Sequence, residues 1–298
     1  MLSQQPLGWG EEFERIRAGG LPTSTETRLD ELRSWGGFTS FLTAKDLAVG
    51  VECGVRPIGQ VIGLSAGRML LGVIKTTHAG QGRRRAGVAR WLERSGPVQS
   101  WTEVRRRALA RLADQAERLD ANAVIGIRAA REETGAEGQR RVVMQFTGTA
   151  VQVDRLKRGA GQGPVLTMAS TQELWLMLEA GMEPVGIAGA FACVDTYASL
   201  PTRASGRWWW RVPNVELQDL TKSVYEVRRL ALERLRSDAR ALHATGLLDI
   251  DLVHEQRNSG DLPGLEITAH VLASAVRVTS TRPLAVKPTL AMRGAHNA

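Results

Sequence analysis

Apolar residues at Val104, Ala108, Leu109, Leu112, Ala116 and Leu119 recur with a period near 3.6, predicting a helix over about 102–119. Arg105, Arg106, Arg111 and Glu117 fall on its wet face. The same stripe returns at Val224, Val227, Ala231, Leu235, Ala239 and Leu242, predicting a second helix over about 223–242. Small alanines at 108, 116, 231 and 239 let each helix lie close on a sheet. A continuous apolar run follows each helix, Ala123–Ile127 and Leu247–Ile250, and reads as a buried strand. A last strand follows in turn, Arg141–Val153 and Glu266–Val276. Strands set apart from helices in this order predict α+β packing, one long helix across a small, mainly antiparallel sheet.

The two halves are related in sequence. Arg105–Ile127 aligns without gaps onto Arg228–Ile250 at an offset of 123. Upstream the offset is 127, pairing Asp46 with Glu173, Gly54 with Gly181 and Pro57 with Pro184. Downstream it is 125, pairing Ala150, Val151 and Val153 with Ala275, Val276 and Val278. Three segments in one order predict a tandem duplication. Each copy opens with a capping box, Thr43 to Asp46 and Ser170 to Glu173, and its short helix stops at Gly54 or Gly181. Pro57 and Pro184 then send the chain out extended, and the glycines of 58–63 and 185–191 predict strands with a bulge or a close backbone approach.

The expected organisation is an N-terminal helical arm over 1–37, a first domain over 38–155 and a linker over 156–163. A divergent second domain over 164–279 and a basic tail over 280–298 complete it. The arm carries two helical stretches, around Glu11–Arg17 and Glu26–Arg33. No apolar run reaches the ~18 residues of a membrane span, since Arg68 breaks the stretch Val61–Ile74. The first residues lack the basic and apolar regions of an export signal, so a soluble cytoplasmic protein is expected.

Charge changes the picture in one place. Residues 81–118 hold ten arginines and four acids, +6 of the chain's formal +8. Such a cluster suits phosphate, anionic lipid or an acidic partner; the plainer reading is a solvated helix face beside an exposed loop. Arg83, Arg84 and Arg85 lie in it, and its counterpart in the second copy is Arg207, Trp208, Trp209, Trp210 and Arg211. Three successive tryptophans cannot all enter one small core, so at least one belongs to a surface or an interface. Burial within an assembly, a protein partner and an anionic membrane surface are the competing roles; no nucleic-acid module surrounds these residues.

The strings Ala108-Leu-Ala-Arg-Leu112, Ala116, Leu119-Asp-Ala-Asn-Ala-Val-Ile-Gly-Ile127 and Gly148-Thr-Ala-Val151 resemble the YbjQ family, also described as heavy-metal-binding proteins. Its members run a long helix into a Gly-Ala-Asn-Ala-Val type of turn and end on a Gly-Thr-Ala-Val strand. Here Asp120 stands where the family has glycine. The second copy has His243-Ala-Thr-Gly in place of the Asn-Ala turn and Ala273-Ser-Ala-Val276 in place of Gly-Thr-Ala-Val. The resemblance covers 38–155 and, more faintly, 164–279. It implies two tandem YbjQ-like domains and assembly into a closed ring, typically five-fold.

Candidate chemistry is sparse. The family's label directs attention to a divalent or heavy metal ion, for which Cys53, Cys193 and His254 are the candidate ligands. No CxxC and no His pair at i,i+4 occur, and both cysteines read more readily as core residues. Asp249, Asp251, His254 and Glu255 form the densest local cluster; regular strand alternation would put both aspartates on one face and His254 on the other. No GxSxG elbow, phosphate-binding loop or HExxH helix is present. The expectation is a non-enzymatic, ring-forming homo-oligomeric scaffold without a required cofactor. The alternative is a metal- or small-ligand-binding protein.

Overall fold

The computed structural model describes residues 9–69, 74–75, 90–135, 140–156, 163–197, 218–258 and 264–280. Within them the fold is α+β. The first half runs α1 (Trp9–Arg17), α2 (Thr23–Trp35), α3 (Ala44–Cys53), β1 (Val55–Arg68), β2 (Ile74–Lys75), β3 (Arg90–Arg94), α4 (Ser95–Arg118), β4 (Ala123–Thr134) and β5 (Arg141–Val153). The second runs β6 (Val165–Leu166), α5 (Thr171–Glu179), β7 (Met182–Tyr197), α6 (Gln218–Ala241), β8 (Gly246–Asn258) and β9 (Gly264–Val278).

Local chemistry sets the element ends. Both capping boxes form: Thr43 and Ser170 accept the Asp46 and Glu173 amides, and those carboxylates accept the cap amides in return. Gly54 and Gly181 adopt φ of 69° and 75°, the left-handed geometry that stops each short helix. The long helices start earlier than their apolar stripes predict. Pro97 sits in the first turn of α4, where its missing N–H costs nothing, so the helix begins at Ser95 and buries Trp101 completely.

Two sheets result, ordered β1-β5-β4-β6 and β2-β3-β7-β9-β8. Each has a central antiparallel run, β1-β5-β4 or β7-β9-β8, with matching bulges at Pro57/Gly59 and Pro184/Gly186 and at Ile125/Arg128 and Leu248/Asp251. The last of these bulges overturns the regular alternation expected for Asp249 and Asp251, and Asp249 takes a left-handed φ of 53°.

Each sheet also takes in strands from the other half, β6 in the first sheet and β2 with β3 in the second. β3 pairs antiparallel with β7, and β6 pairs parallel with β4. Nor does α4 lie on one layer alone. It packs on β1 and β5, and its Trp101 stacks on Phe191 of β7 with ring centroids 5.7 Å apart. Arg105 lies over the Trp101 ring at 5.5 Å and reaches Asp238 of α6 at 2.9 Å, which in turn accepts the Gly189 amide at 2.8 Å. The largest apolar cluster therefore joins Leu112, Val61 and Phe146 of the first half to Ile187, Phe191 and Leu272 of the second. The N-terminal arm closes its outer side through buried Leu21 and Leu29, while Arg28 donates to the Gln60 carbonyl and to Gln115.

Candidate functional site

Two features lie where the halves meet. The first is an ion lattice built from the far ends of the strands. Arg94 reaches Asp195 at 2.5 Å, and Arg140 grips both oxygens of Glu266 at 2.7 Å while also reaching Glu133 at 2.7 Å. Arg131 pairs with Glu133 and with Glu255, and Arg257 with Glu133 and Glu255. Glu133, Asp195 and Glu266 are almost wholly buried, so each carboxylate depends on its guanidinium partners. Burial alone would push the Glu255 carboxyl up, but the Arg131 hydrogen bond and the charges of Arg131 and Arg257 hold it below its ordinary range. His270 sits beside this lattice. Burial first, then the Arg131 charge, depress its pKa to about 4 against the pull of Glu255, Asp251 and Glu133, so it is neutral at pH 7.

The second feature is a cleft of about 510 Å³ between the two bulges and the two capping boxes. Asp46, Glu173, Asp249 and Asp251 line it with Arg128, beside Phe41, Met168 and Ile250. Two of the four carboxylates are engaged: Asp46 accepts the Thr43 amide at 3.1 Å and Glu173 the Ser170 amide at 2.7 Å. Asp249 is pushed up by burial, then by Glu173 and Asp251. The balance favours a cationic or amine-bearing guest over an anion.

The candidate metal ligands are not brought together. Cys53 is half-buried at the end of α3, its thiol pushed up by burial and by Glu52 and Glu179. Cys193 is buried in mid-β7 and pushed well up by burial, then by Glu266 and Asp195, which makes it a core thiol rather than a reactive one. His254 stands on β8 against α6, its pKa lowered by burial and then by Arg228. Among the described residues no group of three or more His, Cys, Asp or Glu side chains is placed to hold a metal ion, so the donors do not fit a thiophilic metal. Arg83, Arg84, Arg85, Arg207, Trp208, Trp209, Trp210 and Arg211 lie outside the described residues. The lattice escaped the sequence reading, although it leaves a trace there. Arg131 with Glu133, and Glu255 with Arg257, are opposite charges two apart on a strand, hence on one face.

Residues 93–154 match the YbjQ family model. That family carries the description "Putative heavy-metal-binding". The YbjQ match spans the end of β3, all of α4, and the β4–β5 hairpin, and so includes Trp101, Arg105 and three of the four lattice arginines. Over 217 residues the chain is also 27% identical to the Encapsulin nanocompartment protein Rv1762c of Mycobacterium tuberculosis, an alignment covering 72% of this chain and 76% of that protein. No helix among the described residues is long and apolar enough to cross a membrane.

Proposed function

We propose that this chain is a non-enzymatic scaffold that assembles from copies of itself. Each copy would contribute two YbjQ-like domains, 38–155 and 164–279, to a closed five-fold ring in the cytoplasm. The observation that carries the reading is the outer edge of the second sheet, which no described strand covers. β8 is an end strand, and Leu248, Ile250 and Val253 on it are 36%, 52% and 37% exposed. Unpaired edges with exposed apolar side chains are what assembly covers. Likeness to a protein named for a nanocompartment supports the same reading. In it, the segments Arg83–Arg85 and Arg207–Arg211 recognise a protein partner or an anionic membrane surface.

Light scattering of the full chain at physiological salt tests the reading. A mass that is a multiple of 32.5 kDa is expected. A single-chain mass at micromolar concentration overturns it. A second reading, small-ligand binding, draws on the acidic cleft, whose lining suits a cationic or amine-bearing guest. Calorimetric titration of the same untagged sample with a polyamine tests it, with stoichiometric binding that disappears on Asp249→Asn and Asp251→Asn as the supporting result.

A further inference from the structure

The join between the two halves is a template for a contact that the described residues leave unmade. In the first half, the segment entering α5 adds to the edge of β4. Val165 and Thr167 donate to the Asn122 and Val124 carbonyls, both at 3.0 Å. In return Gly126 and Ile127 donate to the Ala169 and Thr167 carbonyls at 2.8 and 3.2 Å. The left-handed Gly126 in the β4 bulge turns these two amides outward.

β8 carries the same receptor. Its bulge falls at Leu248/Asp251, the counterpart of Ile125/Arg128, and Asp249 keeps the φ of Gly126 without being glycine. Both strands are also fixed to their neighbours alike. Asn122 donates to Val151 and accepts from Val153, and Thr245 donates to Val276 and accepts from Val278. Nothing in the described chain pairs with β8 on its outer side.

The matching donor segment is residues 38–43, and it already has the required shape. In the segment bound to β4, Thr167 Oγ1 contacts Ser274 Oγ, the Met168 amide donates to Ser274, and the Ala169 amide donates to Thr167 Oγ1. Before α3, Ser40 Oγ contacts Thr149 Oγ1, the Phe41 amide donates to Thr149, and the Leu42 amide donates to Ser40 Oγ. The three bonds are the same, position for position. Among the described residues only the receiving strand is missing.

The neighbouring side chains repeat the pattern. On the first half, α5 covers Ile125 and Val55, which are 0% and 4% exposed. Their counterparts on the second half, Leu248 and Met182, line an open groove of about 340 Å³ with Met177 and Ala180. The helix face that would fill it lies on α3. Val51, the counterpart of Leu178, is 79% exposed, and Phe38, the counterpart of Val165, is 47% exposed.

The geometry points to a head-to-tail contact between copies of this chain, in which residues 38–43 of one copy add as a parallel strand to β8 of the next. This rests on the self-assembly reading above and specifies its surface. The register follows from the template, Phe38 opposite Gly246 and Thr39 opposite Leu247, as Val165 and Leu166 stand opposite Ala123 and Val124. Such a contact joins unlike patches, so it propagates until the rotation closes it.

The test uses full chains with Cys53→Ala and Cys193→Ala, whose counterparts in the other copy are already Ala180 and Ala66. A tagged Thr39→Cys chain is mixed with an untagged Leu247→Cys chain and oxidised. A disulfide between the two different chains is expected, while Thr39→Cys with Val253→Cys, out of register, gives none. Separately, Val51→Glu with Leu248→Glu is expected to weaken association by about 100-fold or more while leaving the melting temperature of the single chain unchanged. If the parent chain assembles yet neither result appears, the contact assigned here is wrong and the assembly reading stands. A parent chain of single-chain mass overturns both. Placing both cysteines in one chain and finding only an internal disulfide overturns the contact between copies.

Discussion

At the scale of single residues, the informative positions are those with left-handed backbone that are not glycine. Asp120 and His243 end the two long helices at φ of 56° and 55°, and both carry side chains there at a steric cost. The YbjQ resemblance places glycine at Asp120, and the structure supplies the reason, a left-handed helix end. His243→Gly is therefore expected to stabilise the fold by roughly 0.5–1 kcal/mol, read as a higher midpoint in urea denaturation with unchanged slope. Asp120→Gly gains less, because Asp120 also holds Arg33 at 2.8 Å. The sequence marked these turns by composition and by the repeat, yet it could not place Asp249 in the same geometry, since aspartate in a strand gives no local sign of a bulge.

Among elements, the long helices and strands and both capping boxes were legible because a single chain signal dictated each. Periodicity gave the strands and helices, and hydroxyl-to-carboxylate spacing gave the caps. Close packing was legible only as a hint. Gly63 lies on β1 where α4 crosses it, and a Cβ there would stand 2.0 Å from the Ala108 carbonyl oxygen and 2.9 Å from the Leu112 backbone. The helix cannot yield without leaving the sheet. Gly63→Ala is expected to cost about 2–3 kcal/mol, seen as a fall in thermal midpoint with a folded far-ultraviolet spectrum retained below it. Gly59→Ala is the milder comparison, because its Cβ would meet the flexible tips of Leu119 and Leu32 and, at 3.9 Å, Thr39 Oγ1, with no backbone atom among them. What the sequence did not show was partner choice between strands. β3 and β6 are short, and pairing with the far half depends on where the folded edges lie rather than on their own residues.

For the whole molecule, the lattice and His270 tie stability to acidity. Above the ordinary histidine pKa of ~6.5 the imidazole is neutral in both folded and unfolded chains and contributes no pH dependence. Between ~6.5 and about 4 the unfolded chain takes up a proton that the folded chain refuses, so stability falls as pH falls, by at most ~1.4 kcal/mol per pH unit. Glu255, held below its ordinary range, adds loss of the same sign at lower pH as its carboxylate protonates. His254 shares the direction of His270. His270→Gln should make the decline across this window shallower without abolishing it, as measured by urea unfolding at a series of pH values. A slope equal to that of the parent would show that His270 is not the group refusing the proton.

The strand lent by β6 to the first sheet has a consequence for how the polypeptide can be divided. A cut between residues 156 and 163 separates two stretches of sequence, but it does not separate two self-sufficient modules. The upstream fragment keeps a receptor with no donor, and the downstream fragment keeps a donor, Val165–Leu166, with nothing to receive it. Such fragments are expected to behave as a split protein. The upstream fragment lacks β6 and the downstream fragment lacks β2 and β3, and recombination in trans is expected to restore what the peptide bond once supplied.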